Sequence, residues 1–119
     1  MSVKRISKPA LDRIVGGRVT EEATCVVKFY SNSCPMCHNL QEYYEDIAKE
    51  YSDIYFFAFN VDDHPNVEKQ LGFNGVPTIL LLKVGGPHHR MRILADPDNP
   101  HKHTWYTSKY IKQFIDRER

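Results

Sequence analysis

Residues 24–38 pass from an apolar run, through Ser31-Asn32-Ser33, into an amphipathic run, and two cysteines, Cys34 and Cys37, stand at the junction. The first run, ending at Phe29-Tyr30, is rich in β-branched and aromatic residues and predicts a strand over 24–30. Beyond it Met36, Leu40, Tyr43, Tyr44, Ile47 and Tyr51 recur at helical spacing, while Glu42, Glu45, Asp46, Lys49 and Glu50 fill much of the other face. Pro35 suits a first helical position, where its missing N–H costs nothing. Cys34 therefore stands where an N-cap would, and Cys37 lies one turn further along the same face. Such a pair can close a small disulfide ring with little backbone movement.

This placement carries chemistry. Thiol–disulfide exchange needs a thiolate near neutral pH, a second thiol to release the mixed disulfide, and access for a partner's sulfur. The free N–H groups of a first helical turn and the helix dipole both favour a thiolate on Cys34. In such motifs the cysteine pKa falls from about 8.5 toward roughly 3.5–7.5. Cys37, a turn deeper, should stay a thiol until the mixed disulfide forms, so Cys34 is read as the attacker and Cys37 as the resolver. The rival reading is half of a zinc site, which needs two further ligands. Cys25 stands alone in the preceding strand and is read as a core thiol; His38, His88, His89, His101 and His103 do not meet the usual zinc spacing. Redox chemistry is the expectation, with no metal.

The bounds agree. A chain of 119 residues suffices for one domain, residues 1–119, with a core of its own. With 16 basic against 15 acidic residues, neither nucleic acid nor an anionic membrane is expected as a partner. The longest apolar runs, within 54–59 and 79–82, are strand-sized. The basic start, Met1 to Ile6, meets Ser7-Lys8-Pro9 and does not read as a signal peptide. Three cysteines without an export signal point to a reducing compartment, and a cytoplasmic monomer is expected.

Along the chain, a short strand is predicted over 3–6, then a helix opened by Pro9 and stopped by Gly16-Gly17. After the 24–30 strand and a helix over 35–51, consecutive apolar residues over 54–60 predict a buried central strand. Asp62-Asp63-His64-Pro65 reads as a helix start, with Gly72 as its stop. Strands follow over 77–84 and 88–95, paired through Gly85-Gly86-Pro87, and a last helix over 108–117 buries Tyr110, Ile111, Phe114 and Ile115. This order implies an α/β fold with a mixed sheet and helices on both faces.

Taken together, these motifs resemble the thioredoxin family over roughly 3–95 and the last helix. Cys34-Pro35-Met36-Cys37 stands where that family carries its CxxC, Phe59-Asn60-Val61-Asp62 resembles the end of its central strand, and Asn74-Gly75-Val76-Pro77-Thr78 resembles its cis-proline motif. The resemblance implies a thioredoxin fold of four or five strands, disulfide reductase activity on protein substrates, and no bound cofactor. Electrons would come from thioredoxin reductase or a glutathione system. It also implies a cis bond before Pro77, with the Val76 backbone beside the sulfurs and able to pair with an extended substrate, and Met36 as an apolar contact. A glutaredoxin-like, glutathione-dependent reductase is the nearest alternative. A non-catalytic interaction module on the same scaffold is another, against which the intact CxxC argues.

The chain also departs from the family. Typical members have Trp-Cys-Gly-Pro-Cys, whereas here the central pair is Pro35-Met36 and the preceding residue Ser33. The central pair shifts the balance between dithiol and disulfide, across a class that runs from about −270 to about −120 mV. Lys28 stands where the family has a buried acid beneath the second cysteine, and Ala58 replaces that acid's lysine partner. Lys28 either tunes the thiols or packs its stem while its head reaches solvent. Segment 96–107, with Trp105, is longer than the family needs; it reads as a lid or specificity loop or, the expectation here, as a surface excursion.

Overall fold

The computed structural model describes residues 3–87 and 89–119. Strand β1 (Val3–Arg5) leads to helix α1 (Lys8–Val15), strand β2 (Ala23–Tyr30) and helix α2 (Pro35–Glu50). Strand β3 (Ile54–Asn60), a 3-10 turn (Val61–Asp63) and helix α3 (Val67–Leu71) follow. Strands β4 (Thr78–Val84) and β5 (Arg90–Ile93) and helix α4 (Ser108–Glu118) complete the chain. His88, expected to begin the returning strand, lies outside the described residues, as do Met1 and Ser2.

The strands form one sheet in the order β1-β3-β2-β4-β5. β1, β3 and β2 run parallel, with Val26 opposite Phe56, and β4 and β5 run antiparallel to their neighbours, with Val26 also opposite Leu81. This is the mixed, helix-flanked α/β sheet expected from the sequence. The centre differs. β2, not β3, is the middle strand, and both its faces are sealed because residues of alternate parity point to opposite layers. Val26 joins Leu40, Tyr44 and Ile47 of α2 and Phe114 of α4 in one core layer. Val27 and Phe29 join Leu11 of α1 and Val67 and Leu71 of α3 in the other.

The unequal helices explain why β3 is less buried than its apolar run suggests. α2 and α4 are long and cover their face, whereas α1 and α3 have 8 and 5 residues. Phe59 lies beneath them, but Phe57 is half-buried and Tyr55 is 58% exposed, its ring stacked on that of Phe57. Helix α3 begins at Val67, just past the Asp62-Asp63-His64-Pro65 signal; Asp62 and Asp63 lie in the 3-10 turn, and the Asp62 side chain is engaged in the loop before Cys34.

Local chemistry sets the other boundaries. Ser7 caps α1 by accepting from the Ala10 N–H, and Lys8 pairs with Asp12 at 2.8 Å one turn on. Gly72 ends α3 in the left-handed region at φ 83°. Gly85, in the β4–β5 turn, has φ 73°, and a Cβ there would overlap the Glu21 carbonyl. Gly85→Ala is therefore expected to lower stability by about 2 kcal/mol or more, read by urea unfolding; an unchanged midpoint would contradict this packing. Among the described residues no helix is long and apolar enough to cross a membrane.

Candidate active site

At the end of β2 the chain leaves the sheet through Ser31-Asn32-Ser33 and enters α2 at Pro35, with Cys34 as N-cap. Two side chains hold this loop. The Asp62 carboxylate accepts from the Ser31 hydroxyl at 2.9 Å and from the Asn32 N–H at 2.8 Å, and Asn60 donates to the Asn32 side-chain oxygen at 3.0 Å. Asn60 and Asp62 thus fix the approach to the cysteines from the far end of β3. Reading Asp62 as a helix start missed this; the available signal was the polar residues ending an apolar strand beside the CxxC.

Cys34 and Cys37 are joined as a disulfide, with Cα atoms 5.2 Å apart. The Cys37 N–H donates to the Cys34 sulfur at 3.1 Å, so an unpaired donor of the first helical turn is spent on that atom. Cys34 is half-buried at the surface and Cys37 is buried. Across from them the Val76–Pro77 bond is cis, and the Val76 carbonyl oxygen lies 3.9 Å from the Cys34 sulfur. Cys34, Met36 and Val76 line one open groove; Pro77 is buried just behind it.

Lys28 lies on the opposite side of the pair. A cavity of 380 Å3 beneath α2 is lined by Lys28, Tyr30, Cys37, Tyr44, Glu45 and Ala58, among others. Lys28 and Ala58 are direct register partners on β2 and β3, so the two departures from the family pattern face the same space. The Lys28 residue is 4% exposed, and its ammonium sits 5.2 Å from the Tyr44 ring centre and 5.6 Å from that of Tyr30. Its head ends against these rings instead of extending to the outer surface. Burial pushes the Lys28 pKa down to about 8, with the negative charge of Glu45 partly opposing the shift.

Tyr44 anchors this wall. Its buried hydroxyl lies 2.7 Å from the Phe57 carbonyl and 3.0 Å from that of Val26, and burial pushes its pKa well above the usual phenol value. Tyr43, placed by spacing on the buried stripe of the helix, is 39% exposed. Cys25 is the free cysteine, buried on β2; burial pushes its thiol up to about 11 and keeps it protonated at neutral pH. Among the described residues no three His, Cys, Asp or Glu side chains converge as a metal site.

The 96–107 segment is largely exposed, as a surface excursion would be, but it is fastened near its end. It folds back, with Thr104 and Tyr106 buried, and Tyr106 stacks on Tyr110 of α4. His101 and Trp105 exchange two backbone hydrogen bonds at 3.0 and 2.8 Å, closing a tight hairpin. Asn39 of α2 donates to the His103 carbonyl at 2.8 Å, which draws Lys102 and His103 to the groove beside Cys34. The Asn39–His103 bond joins residues 64 apart in sequence, which leaves no local pattern by which to find it.

The thioredoxin family profile matches residues 4–97. The chain is 39% identical over 61 residues to a thioredoxin of Acidithiobacillus ferridurans, a match covering 50% of this chain and 56% of that protein. It is 31% identical over 74 residues to a thioredoxin of Chlamydia caviae, covering 62% and 72% respectively. The chain thus spans a little over half of the first relative's length. Its fold is similar to that of the thioredoxin NaTrxh from Nicotiana alata, with a TM-score of 0.75 at 19% identity over 99% of this chain and 93% of that one. With a profile that runs from β1 to beyond β5 across the paired cysteines, the chain belongs to the thioredoxin family.

Proposed function

We propose that the chain is a thiol–disulfide oxidoreductase that reduces protein disulfides through Cys34 and Cys37. The observation that carries the reading is the bonded pair at the mouth of α2, with the outer sulfur beside the Val76 backbone and the inner one shielded. In the reduced protein Cys34 attacks as a thiolate, favoured by the Cys37 N–H and the helix dipole. An S–S bond forms to one substrate sulfur, the substrate's own S–S bond breaks, and its other sulfur leaves and takes a proton from water. Cys37 then loses its proton and attacks the Cys34 sulfur. The ring disulfide forms, the mixed disulfide breaks, and the second substrate sulfur leaves as a thiol. Two electrons have passed to the substrate, and a thioredoxin reductase or a glutathione system restores the dithiol.

The remaining residues divide the work. Val76 offers its backbone to an extended substrate segment, Pro77 holds that backbone in place, and Met36 supplies an apolar contact. Lys28, whose charge faces the cavity that Cys37 lines, favours the Cys37 thiolate. Insulin reduction with dithiothreitol tests the reading. The protein should raise the rate of precipitation well above that of dithiothreitol alone; a rate equal to that background would overturn it. Coupling to NADPH-linked thioredoxin reductase or to glutathione and its reductase then identifies the electron source.

A further inference from the structure

We propose that the 101–105 hairpin is a selecting wall of the substrate groove and favours disulfides flanked by acidic side chains. The inference rests on the reductase reading and adds the class of substrate. The groove around Cys34 is lined by Ser33, Met36, Asn39, Val76, Lys102 and His103, with Ser31 and Pro35, and no Asp or Glu is among its lining residues. Lys102 is the one lysine or arginine there, and it is exposed. Among the described residues it has no acidic partner within salt-bridge distance. Every other wall of the groove is uncharged or carries an imidazole.

The hairpin is built to stay at that place. Two backbone hydrogen bonds close it between His101 and Trp105. Asn39 grips the His103 carbonyl from α2, the His101 ring accepts from the His103 N–H at 3.2 Å, and the Trp105 indole donates to Asp96 at 3.0 Å. Trp105 holds φ 66°, a conformation that a large side chain adopts only when its surroundings dictate it. Just beyond, the Tyr106 hydroxyl reaches the Pro77 carbonyl at 3.4 Å, which ties the hairpin to the opposite wall. A charge held beside a groove by so many contacts acts on what enters with little ordering cost. An extended segment pairing with the Val76 backbone would pass the cysteine sulfur and carry its neighbouring side chains toward Lys102. A carboxylate there gains an ion pair, and an ammonium there is repelled.

Two short disulfide peptides of equal length, with Glu or with Lys flanking the cysteine, provide the test. For the unaltered protein the kcat/KM ratio of the acidic to the basic peptide should be about three- to tenfold at low ionic strength and fall as salt is raised. Lys102→Gln should bring the ratio close to one, and Lys102→Glu should invert it; each ratio is taken within one variant, so a change in overall rate does not affect it. Equal turnover of both peptides by the unaltered protein, or a ratio unmoved by Lys102→Glu, overturns the selecting wall and leaves the reductase reading standing. Exchange with neither peptide removes the reductase reading, and the selecting wall with it.

Discussion

Cys37→Ser is expected to turn the protein into a trap. The variant should attack a disulfide through Cys34 and then stop, because the group that would release the mixed disulfide is gone. Incubated with insulin or a disulfide peptide, it should accumulate a covalent adduct visible by mass spectrometry and lost on treatment with dithiothreitol. Cys34→Ser should form no such adduct and should lower catalysed insulin reduction to the background rate. The asymmetry follows from position: Cys34 is half-buried and borders the groove, whereas Cys37 is buried and faces the cavity behind it. Cys25 does not substitute for either, since it is buried on β2 with its thiol pushed up to about 11. Equal adduct yields from the two variants would remove the distinction between attacker and resolver, and a larger yield from Cys34→Ser would reverse it.

Lys28→Met should stabilise the protein at pH 7 by about 2 kcal/mol. Burial lowers the Lys28 pKa from 10.5 to about 8, so carrying the proton costs the folded state about 3 kcal/mol relative to the unfolded chain. Lost contacts with the Tyr30 and Tyr44 rings offset about 1 kcal/mol of the gain from removing the charge. Between pH 8 and 10.5 the unfolded chain holds more protons at this site than the folded one, so the unaltered protein gains stability as pH rises. The advantage of the methionine variant should therefore be full below pH 8 and gone above about 10.5. Urea unfolding at pH 7 and pH 10 measures it, and a variant less stable at pH 7 would show that the ring contacts outweigh burial. The same variant should shift iodoacetamide alkylation of the active-site thiols to higher pH, because a positive charge facing their cavity has been removed. An unchanged alkylation profile would leave Lys28 with a packing role alone.

The strand-to-helix junction was legible because its signals are local. Pro35, the spacing of Leu40, Tyr44 and Ile47, and the cysteine pair all act within about four turns of one helix, and α2 begins where they indicate. The faces of β2 were legible too, since alternation alone puts Lys28 on the side that α2 covers. What stayed hidden depends on distance in sequence. Strand order does not follow from periodicity, so the apolar run of β3 looked central although β2 holds that place. Asp62 looked like a helix start because its true partners lie some thirty residues earlier, at Ser31 and Asn32. The 96–107 segment offered turn-forming residues and no hydrophobic period, yet it is held by Asn39 and Pro77 and braced internally by the Trp105–Asp96 bond. Composition marks such a stretch as loop and says nothing about what it leans on.

The frame around that stretch has a practical consequence. The hairpin tip, Lys102 and His103, supplies side chains to the groove, while its fastening depends on backbone atoms and on Thr104, Trp105 and Tyr106. Tip and fastening can therefore be edited independently. A library randomised at those two positions alone would vary the charge and shape of the groove while leaving the Cys34–Cys37 pair and the frame that holds the hairpin untouched.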